Sequence, residues 1–277
     1  MSRSVQLLCR HAASAAYLAL AAVLGATSAG QHAFAQDALD GIDMTSDAFT
    51  KAEMTRTDIE SGLAALAPEA TLDLSGKALN GLDLTGLDLH RAVLNQARLN
   101  KTKLAGANLS GTALRQVWAI EADLTGANLA GADLTGSIFL RAKMDGADFS
   151  KAIAKANFTS ASLVKARFDG ANVSPGKKNE RSMIKLGFER ANLDGASFKG
   201  ADMFRGYFEF ATLTNVSFVG ASMASADLSG ADLGGADVAD ADMAGTDVNS
   251  AKISGLINTG KAKNFDKLVN LDRAAKN

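Results

Sequence analysis

Residues 121–135 read Glu-Ala-Asp-Leu-Thr-Gly-Ala-Asn-Leu-Ala-Gly-Ala-Asp-Leu-Thr, and this stretch decides the fold. A leucine returns at every fifth position, an alanine stands two residues before each leucine, and an aspartate or asparagine lies between them. Side chains two residues apart point the same way only in an extended chain. A period of five fits neither the 3.6-residue α-helix nor an uninterrupted strand. We therefore predict short extended pieces, with alanine and leucine facing inward, separated by tight corners.

The same spacing continues on both sides of this stretch. A central apolar residue recurs from Leu74 to Phe149 and, after a step of four residues to Ile153, again as far as Ile253. Counted this way the chain holds 37 consecutive units, with Lys178 as the one charged central residue. The five-residue phase is unchanged across the interruption Ser174–Glu180. We therefore expect this loop to replace a unit without shifting the next coil, either as a functional loop or through drift of the repeat.

Units such as Ala122–Gly126 and Ala231–Gly235 resemble the pentapeptide-repeat family, and the resemblance covers residues 71–255. It implies an all-β solenoid, a right-handed quadrilateral β-helix with four units per coil and about nine coils. At the usual strand spacing such a rod is on the order of 40–45 Å long. Alanine fits the crowded inward position beside each corner, and each coil contacts only its neighbours, so stability accumulates coil by coil.

Residues 1–35 have the composition of a signal peptide. Arg3 and Arg10 precede an apolar run from Ala12 to Leu24, and Ala33-Phe34-Ala35 matches the small-x-small cleavage pattern. We predict cleavage after Ala35 and hence an exported protein, periplasmic or secreted. The alternative is an uncleaved leader, which is the one membrane attachment that we expect.

Caps are predicted at both ends of the rod. Residues 36–70 form an acidic lead-in, flexible to about residue 50, followed by a capping helix for which Thr57 and Glu60 provide a capping box. Pro68 stops that helix. Residues 256–277 form a C-terminal cap with a short helix that begins at Asn264. The β-helix occupies residues 71–255, with a loop at 174–180.

Residue types limit the chemistry open to the chain. Removal of the leader leaves no cysteine and one histidine, His90, which follows a central leucine and is expected on the surface. Disulfides, thiolate catalysis and Cys/His zinc sites are therefore excluded from the mature chain. The glycines recur with the repeat and do not form a nucleotide-binding loop. We predict no catalytic residue, no metal, no cofactor and no enzymatic activity.

Outward apolar side chains suggest a candidate interaction patch. With four units per coil throughout, this patch consists of Val164, Ile184, Phe204, Tyr207, Phe210 and Arg190. Val164, Ile184 and Phe204 would stack on one face, and Arg190 would stack beside Phe210. A contiguous apolar patch indicates a protein partner or self-association; the alternative is a set of isolated exposed hydrophobes or a patch covered by the loop. Trp118 is a weaker candidate of the same kind.

An acidic collar is predicted around the last coils, where no basic residue occurs from Ala224 to Ala251. Its members are Asp227, Asp232, Asp237, Asp240, Asp242 and Asp247. Successive aspartates fall on successive faces, and only Asp227 and Asp247 share one. Solubility and turn formation explain such a collar; loose cation binding is the alternative. Residues 151–210 form a basic middle, and the tail is mildly basic.

These observations favour a non-enzymatic, exported module of the cell envelope that has a protein-interaction or structural role. The partner is an unidentified protein or a second copy. The alternative comes from the resemblance, because some pentapeptide-repeat proteins mimic DNA and bind gyrase. Such proteins are acidic along the rod, whereas this chain has a basic middle and a leader. The net charge of −1 gives no preference for nucleic acid, and none is expected as a partner.

Overall fold

The structure is a computed structural model that describes residues 43–175 and 185–276. The predicted signal peptide, the start of the lead-in and most of the 174–180 loop lie outside the described residues, as does Ile184. Within the described ranges, no helix combines the length and the hydrophobicity that a membrane span requires.

Parallel pairing at intervals of twenty residues builds the rod. Strand β1 (Leu72–Asp73) pairs with strand β2 (Ala92–Val93), and single parallel bridges continue the pattern, as between Asp83 and Lys103. Twenty residues are four five-residue units, so the predicted quadrilateral coil is confirmed. We number the faces by their first residues, Asp73 on face 1, Ala78 on face 2, Asp83 on face 3 and Asp88 on face 4. The described residues form nine coils and most of a tenth.

Corner geometry explains the residue types of the repeat. At a regular corner the Asp123 Oδ1 atom accepts a hydrogen bond from the Thr125 backbone N–H at 3.0 Å, and the Ala127 N–H donates to the Leu124 carbonyl. The residue between them, Gly126, has a φ of 65°, which glycine adopts without steric cost. The side-chain oxygen of aspartate or asparagine therefore accepts a backbone hydrogen bond of the turn, and glycine avoids the steric cost of the positive φ.

Phenylalanine fills the axis of the middle coils. Two columns of buried rings run along the rod, one from face 2 and one from face 4. The columns consist of Phe139, Phe158, Phe188 and Phe208 on face 2, and Phe149, Phe168, Phe198 and Phe218 on face 4. Ring centroids within a column are 4.6 to 5.8 Å apart, and rings of opposite columns meet edge to face. Both arrangements are favourable for aromatic pairs.

The predicted register across the loop is wrong. Asn157 pairs with Gly187 and Asn172 pairs with Asp202, so the sixth coil contains thirty residues and not twenty. Val173 and Phe188 are the central residues of consecutive faces, and they are fifteen residues apart where a regular unit has five. Ten additional residues are therefore inserted at this point. Because ten is a multiple of five, the five-residue phase is preserved although the stacking shifts by two faces. Lys178 and Met183, counted as units above, lie outside the described residues.

The shortened unit, in which the step is four residues and not five, lies between Ala154 and Phe158 and not between Phe149 and Ile153 as predicted. Ala154 is buried, at 1% exposure, whereas Ile153 is 41% exposed and bridges to Asp133 and Asn172. Ala154 is therefore the central residue and Ile153 faces outward. The missing residue belongs to the corner before Phe158, where the Ala156 N–H donates to the Ala154 carbonyl.

Two helices precede the first coil, α1 (Asp47–Thr50) and α2 (Arg56–Ala64). The capping box of α2 is formed by Thr55 and Asp58, and not by Thr57 and Glu60 as predicted. The Thr55 side chain accepts from the Asp58 N–H, and the Asp58 carboxylate accepts from the Thr55 N–H. Ile59 of α2 is fully buried in the core, so this helix caps the first coil as expected.

The lead-in, predicted to be flexible to about residue 50, is structured from Asp43 onward and lies along face 2. We call residues 43–55 the arm. The side-chain amide of Asn80 donates to the carbonyls of Ala48 and Lys51, at 3.2 and 3.0 Å. The Phe49 ring stacks on Trp118 with 5.7 Å between centroids. Trp118 is only 5% exposed, so it is not an exposed aromatic as predicted.

We expect the Phe49→Ala variant to shift the fluorescence of Trp118 to longer wavelength and to increase its quenching by acrylamide. Trp118 is the one tryptophan of the chain, so emission reports on this contact alone. Loss of the Phe49 ring admits water to the indole. The Phe204→Ala variant, on face 1 of the seventh coil, is the matched control and should leave the spectrum unchanged. Identical spectra for Phe49→Ala and wild type would contradict the docking of the arm.

The C-terminal residues continue the rod beyond residue 255. Lys263, Val269 and Ala275 pair with the coil below. The predicted helix at Asn264 is a single 3₁₀ turn, Phe265–Lys267, and a second such turn covers Thr259–Lys261. The step in this region is six residues, so the five-residue spacing could not reveal it.

Candidate interaction surface

The structure divides the predicted patch. Val164 stands two residues after Ser162, which belongs to face 3. It lies below Asp194, because the Leu163 N–H donates to the Asn192 carbonyl. Phe204 follows Met203 on face 1, the opposite side of the rod. Val164 is therefore not part of the same surface as Phe204. The ten-residue insertion causes this difference, since stacking by twenty residues fails across it.

Ile184 lies outside the described residues, and the other predicted residues, Arg190, Phe204, Tyr207 and Phe210, form one surface where face 1 turns into face 2 and face 2 into face 3. We call it the aromatic–cation cluster, and it consists of Lys185, Arg190, Phe204, Arg205, Tyr207 and Phe210. Sequence reasoning missed Lys185 and Arg205, although Arg205 is adjacent to Phe204 in the chain.

Each aromatic ring of the cluster has its own cation. The Arg190 guanidinium carbon lies 5.5 Å from the centroid of Phe210, as predicted from the sequence. Arg205 lies 4.9 Å from the centroid of Phe204. These distances are within the range of cation–π attraction. Phe204 and Phe210 are 38% and 47% exposed, so part of each side chain is open to a partner.

Lys185 anchors the chain where it returns from the insertion. Its ammonium lies 5.0 Å from the centroid of Tyr207 and forms ion pairs with Glu189 and Glu209. Burial alone would lower the pKa of Lys185, but the two carboxylates outweigh it and hold the pKa above its ordinary value. The Lys185 carbonyl also accepts from the Asn157 amide at 3.0 Å. This edge of the cluster is therefore fixed to the rod.

Phe210 occupies a strained backbone position. Its φ is 58°, and it is the one aromatic residue among the described non-glycine residues with positive φ. A bulky residue in this region is a conformational outlier. The ring lies across Gly230, where an added Cβ would come within 2.5 Å of it. Strain of this kind tends to be retained at functional sites.

We expect Phe210→Gly to preserve or raise the free energy of unfolding while it removes the exposed ring. The same corner holds glycine at Gly81 and Gly230, so the backbone accepts it. Relief of a left-handed residue contributes roughly 1 kcal/mol, which offsets the lost contact with Arg190. Urea denaturation measures the change. A loss above about 2 kcal/mol would show that Phe210 is mainly structural.

The acidic collar is held within the rod by hydrogen bonds. Asp227, Asp232, Asp237, Asp242 and Asp247 each accept from the backbone N–H two residues later. The amides of Asn258 and Asn264 donate to Asp237 and Asp242 and lower their pKa values. Asp240 stands at a corner with a φ of 56°. Turn formation thus accounts for these aspartates, and the described part of the chain holds no His/Cys/Asp/Glu group suited to a metal ion.

His90 lies on the surface beside Asp88, with 2.7 Å between its Nδ1 atom and the Asp88 Oδ1 atom. Both side chains line an open depression between α2 and the first coil. The remaining lining residues are Glu60, Leu63, Ala64, Leu87 and Arg91. This lining contains no serine, threonine, cysteine or lysine, and hence no nucleophile that a His–Asp pair could activate.

Comparison with known proteins agrees with the geometry. A family model described as Pentapeptide repeats matches eight copies, in residues 73–117, 120–153, 207–238 and 221–255. The unmatched stretch between 153 and 207 contains the shortened unit and the insertion. No curated protein matches the chain.

Several solved structures are similar to the chain. HetL, a pentapeptide repeat protein involved in heterocyst differentiation regulation in the cyanobacterium Nostoc, is 26% identical; the match covers 80% of this chain and 95% of HetL, with a TM-score of 0.31. A pentapeptide repeat protein of the Arabidopsis thaliana thylakoid lumen is 23% identical over 40% of this chain and 65% of its own, with a TM-score of 0.27. QnrB1, a plasmid-mediated fluoroquinolone resistance protein, is 18% identical over 74% and 94%, with a TM-score of 0.27.

Proposed function

The chain is a pentapeptide-repeat protein, and from that premise we propose that it is a non-enzymatic, exported module of the cell envelope that binds a protein partner through the aromatic–cation cluster. One observation carries this proposal. Phe204 and Phe210 lie at consecutive corners and Tyr207 lies on face 2 between them, each with a cation against its ring. Aromatic residues and arginine are the types enriched at the centres of protein interfaces.

The position of the cluster supports binding. It lies next to the ten-residue insertion, and irregular segments on a rigid scaffold often carry function. Its edge is anchored by Lys185, and its backbone belongs to the paired coils of the rod. A partner would therefore meet a surface that needs little ordering on binding, which favours affinity.

A non-enzymatic role is supported by the arrangement of the titratable groups. The described carboxylates of the collar accept hydrogen bonds from their own corners, and His90 lacks an adjacent nucleophile. Catalysis needs such groups to converge in a shaped pocket. The DNA-mimic alternative gains no support either, because Lys103 and Lys143 alternate with Asp83 and Asp123 along face 3.

A pull-down from envelope fractions tests the proposed surface. Wild-type protein, the double variant Phe204→Glu/Tyr207→Glu and the control Ile153→Glu serve as bait. Ile153 is also exposed and apolar but lies outside the cluster. We expect the same partner with wild type and control, and its loss with the double variant. A partner retained equally by all three baits would contradict the role of the cluster. Sedimentation velocity on the same proteins tests whether the partner is a second copy.

Export is tested separately by the mass of the purified protein and by cell fractionation. We expect a mature chain that begins at Gln36 and is recovered outside the cytoplasm. A cytoplasmic chain that retains Met1 would contradict export without bearing on the cluster.

A further inference from the structure

The end of the rod follows a second, six-residue repeat. Asn258, Asn264 and Asn270 each have a left-handed backbone, with φ of 62°, 55° and 58°. Their side-chain amides donate to Asp237, Asp242 and Asp247 of the coil below, each at 2.8 Å. These hydrogen bonds attach the last coil to the acidic collar on three successive faces.

A basic residue follows each of these asparagines at the third position, as Lys261, Lys267 and Arg273. We call residues 256–276 the terminal segment, and its basic residues are Lys261, Lys263, Lys267, Arg273 and Lys276. All five are exposed, and its acidic residues are only Asp266 and Asp272. Within the described residues, none of the five cations forms an ion pair. Together with the asparagine hydrogen bonds, Lys261 lowers the pKa of Asp237, and Lys263 and Lys267 lower that of Asp242, so the collar offsets part of this positive charge. With five basic and two acidic residues, the terminal segment itself remains positive.

The same end also exposes apolar side chains. Ile257 and Val269 are 49% and 44% exposed, and Leu256, Leu268 and Leu271 are partly buried against the core. In the described part of the chain, no further strand pairs with the far side of this segment. Ile257 stands on face 4 and Val269 on face 2, at opposite sides of the last coil. The rod therefore ends in partly buried apolar side chains at its centre, with Ile257, Val269 and the cations around its rim.

We propose that the terminal segment docks the rod end-on onto an anionic phospholipid surface. Apolar side chains that insert at the headgroup level, surrounded by lysine and arginine, are the combination that binds such a surface. A second copy fits this end less well, because two identical cationic ends would repel each other. This site is at a distance from the aromatic–cation cluster and does not depend on the function proposed for it.

Vesicle co-sedimentation tests the proposal with the full chain, and intact mass establishes that all variants share one N-terminus. We expect binding to vesicles of phosphatidylcholine with 30% phosphatidylglycerol, weak binding to phosphatidylcholine alone, and a decline as salt rises from about 0.1 to 0.5 M. Equal binding to both vesicle types, or none, would overturn the proposal.

Matched charge reversals locate the site. Lys261→Glu/Lys267→Glu/Arg273→Glu should weaken binding to the anionic vesicles by on the order of a hundredfold, at about fivefold for each basic residue. The control Lys151→Glu/Lys165→Glu/Lys199→Glu changes the net charge equally on exposed residues in the middle of the rod and should retain most of the binding. An equal loss in both triple variants would refute a terminal site.

Apolar variants separate the lipid surface from a second copy. Ile257→Ser/Val269→Ser should reduce vesicle binding by tenfold or more, with an unchanged thermal midpoint and a monomer in sedimentation velocity at all times. A wild-type dimer that this double variant dissociates would overturn the proposal in favour of end-to-end association.

Discussion

Replacement of Phe168 by alanine is expected to lower the free energy of unfolding by about 3–5 kcal/mol, the usual cost of truncating a buried phenylalanine. Phe168 is fully buried where the two aromatic columns meet. Its ring centroid lies 4.6 Å from that of Phe149 and 4.8 Å from that of Phe198, and it meets Phe188 edge to face at 5.4 Å. Contacts would therefore be lost along the rod in both directions and across it.

Urea denaturation followed by far-UV circular dichroism measures this change. Because each coil contacts only its neighbours, the variant could also separate the transition of the early coils from the rest. Trp118 reports on those early coils by fluorescence. Phe204→Ala is the control, since Phe204 is exposed, and its cost should stay below about 1 kcal/mol. A Phe168→Ala cost as small as that of the control would mean that the axis is not tightly packed.

Regular parts of the fold were predictable because each repeat position has a single physical requirement. The Ala-Asp-Leu triplet alternates inward, outward and inward, and a fixed period of five leaves the corner as the one explanation. Arg190 was correctly placed beside Phe210 because both residues follow the insertion and are twenty residues apart. In regular coils, the residues that stack on one face are found from the twenty-residue spacing alone.

The irregular features could not be predicted from spacing. An insertion of ten residues keeps the five-residue phase, so the sequence pattern does not distinguish it from two ordinary units. Ile153 and Ala154 are both apolar, and only burial shows which of them is central. Trp118 occupies an outward position, and its cover, Phe49, lies 69 positions earlier in a segment without repeats. Such contacts depend on tertiary packing.

Replacement of Gly187 by alanine is expected to disrupt the aromatic–cation cluster without changing any of its residues. An added Cβ at Gly187 would lie 2.7 Å from the carbonyl oxygen of Tyr207 and 2.8 Å from its Cβ. That carbonyl accepts the Phe188 N–H at 2.7 Å, so it is held by the pairing of the sixth and seventh coils. Backbone atoms on both sides cannot rotate away, and the coils must separate.

We expect Gly187→Ala to lower the free energy of unfolding by about 1–3 kcal/mol, as overpacking does in tight cores, and to weaken capture of the partner. Urea denaturation and the envelope pull-down measure the two effects. Gly200→Ala is the matched control, because a Cβ there meets nothing within 4 Å and only its φ of 62° opposes the change. It should cost about 1 kcal/mol, the penalty of a left-handed alanine, and leave capture intact. Full capture by Gly187→Ala would show that the partner does not require Tyr207 in its observed position.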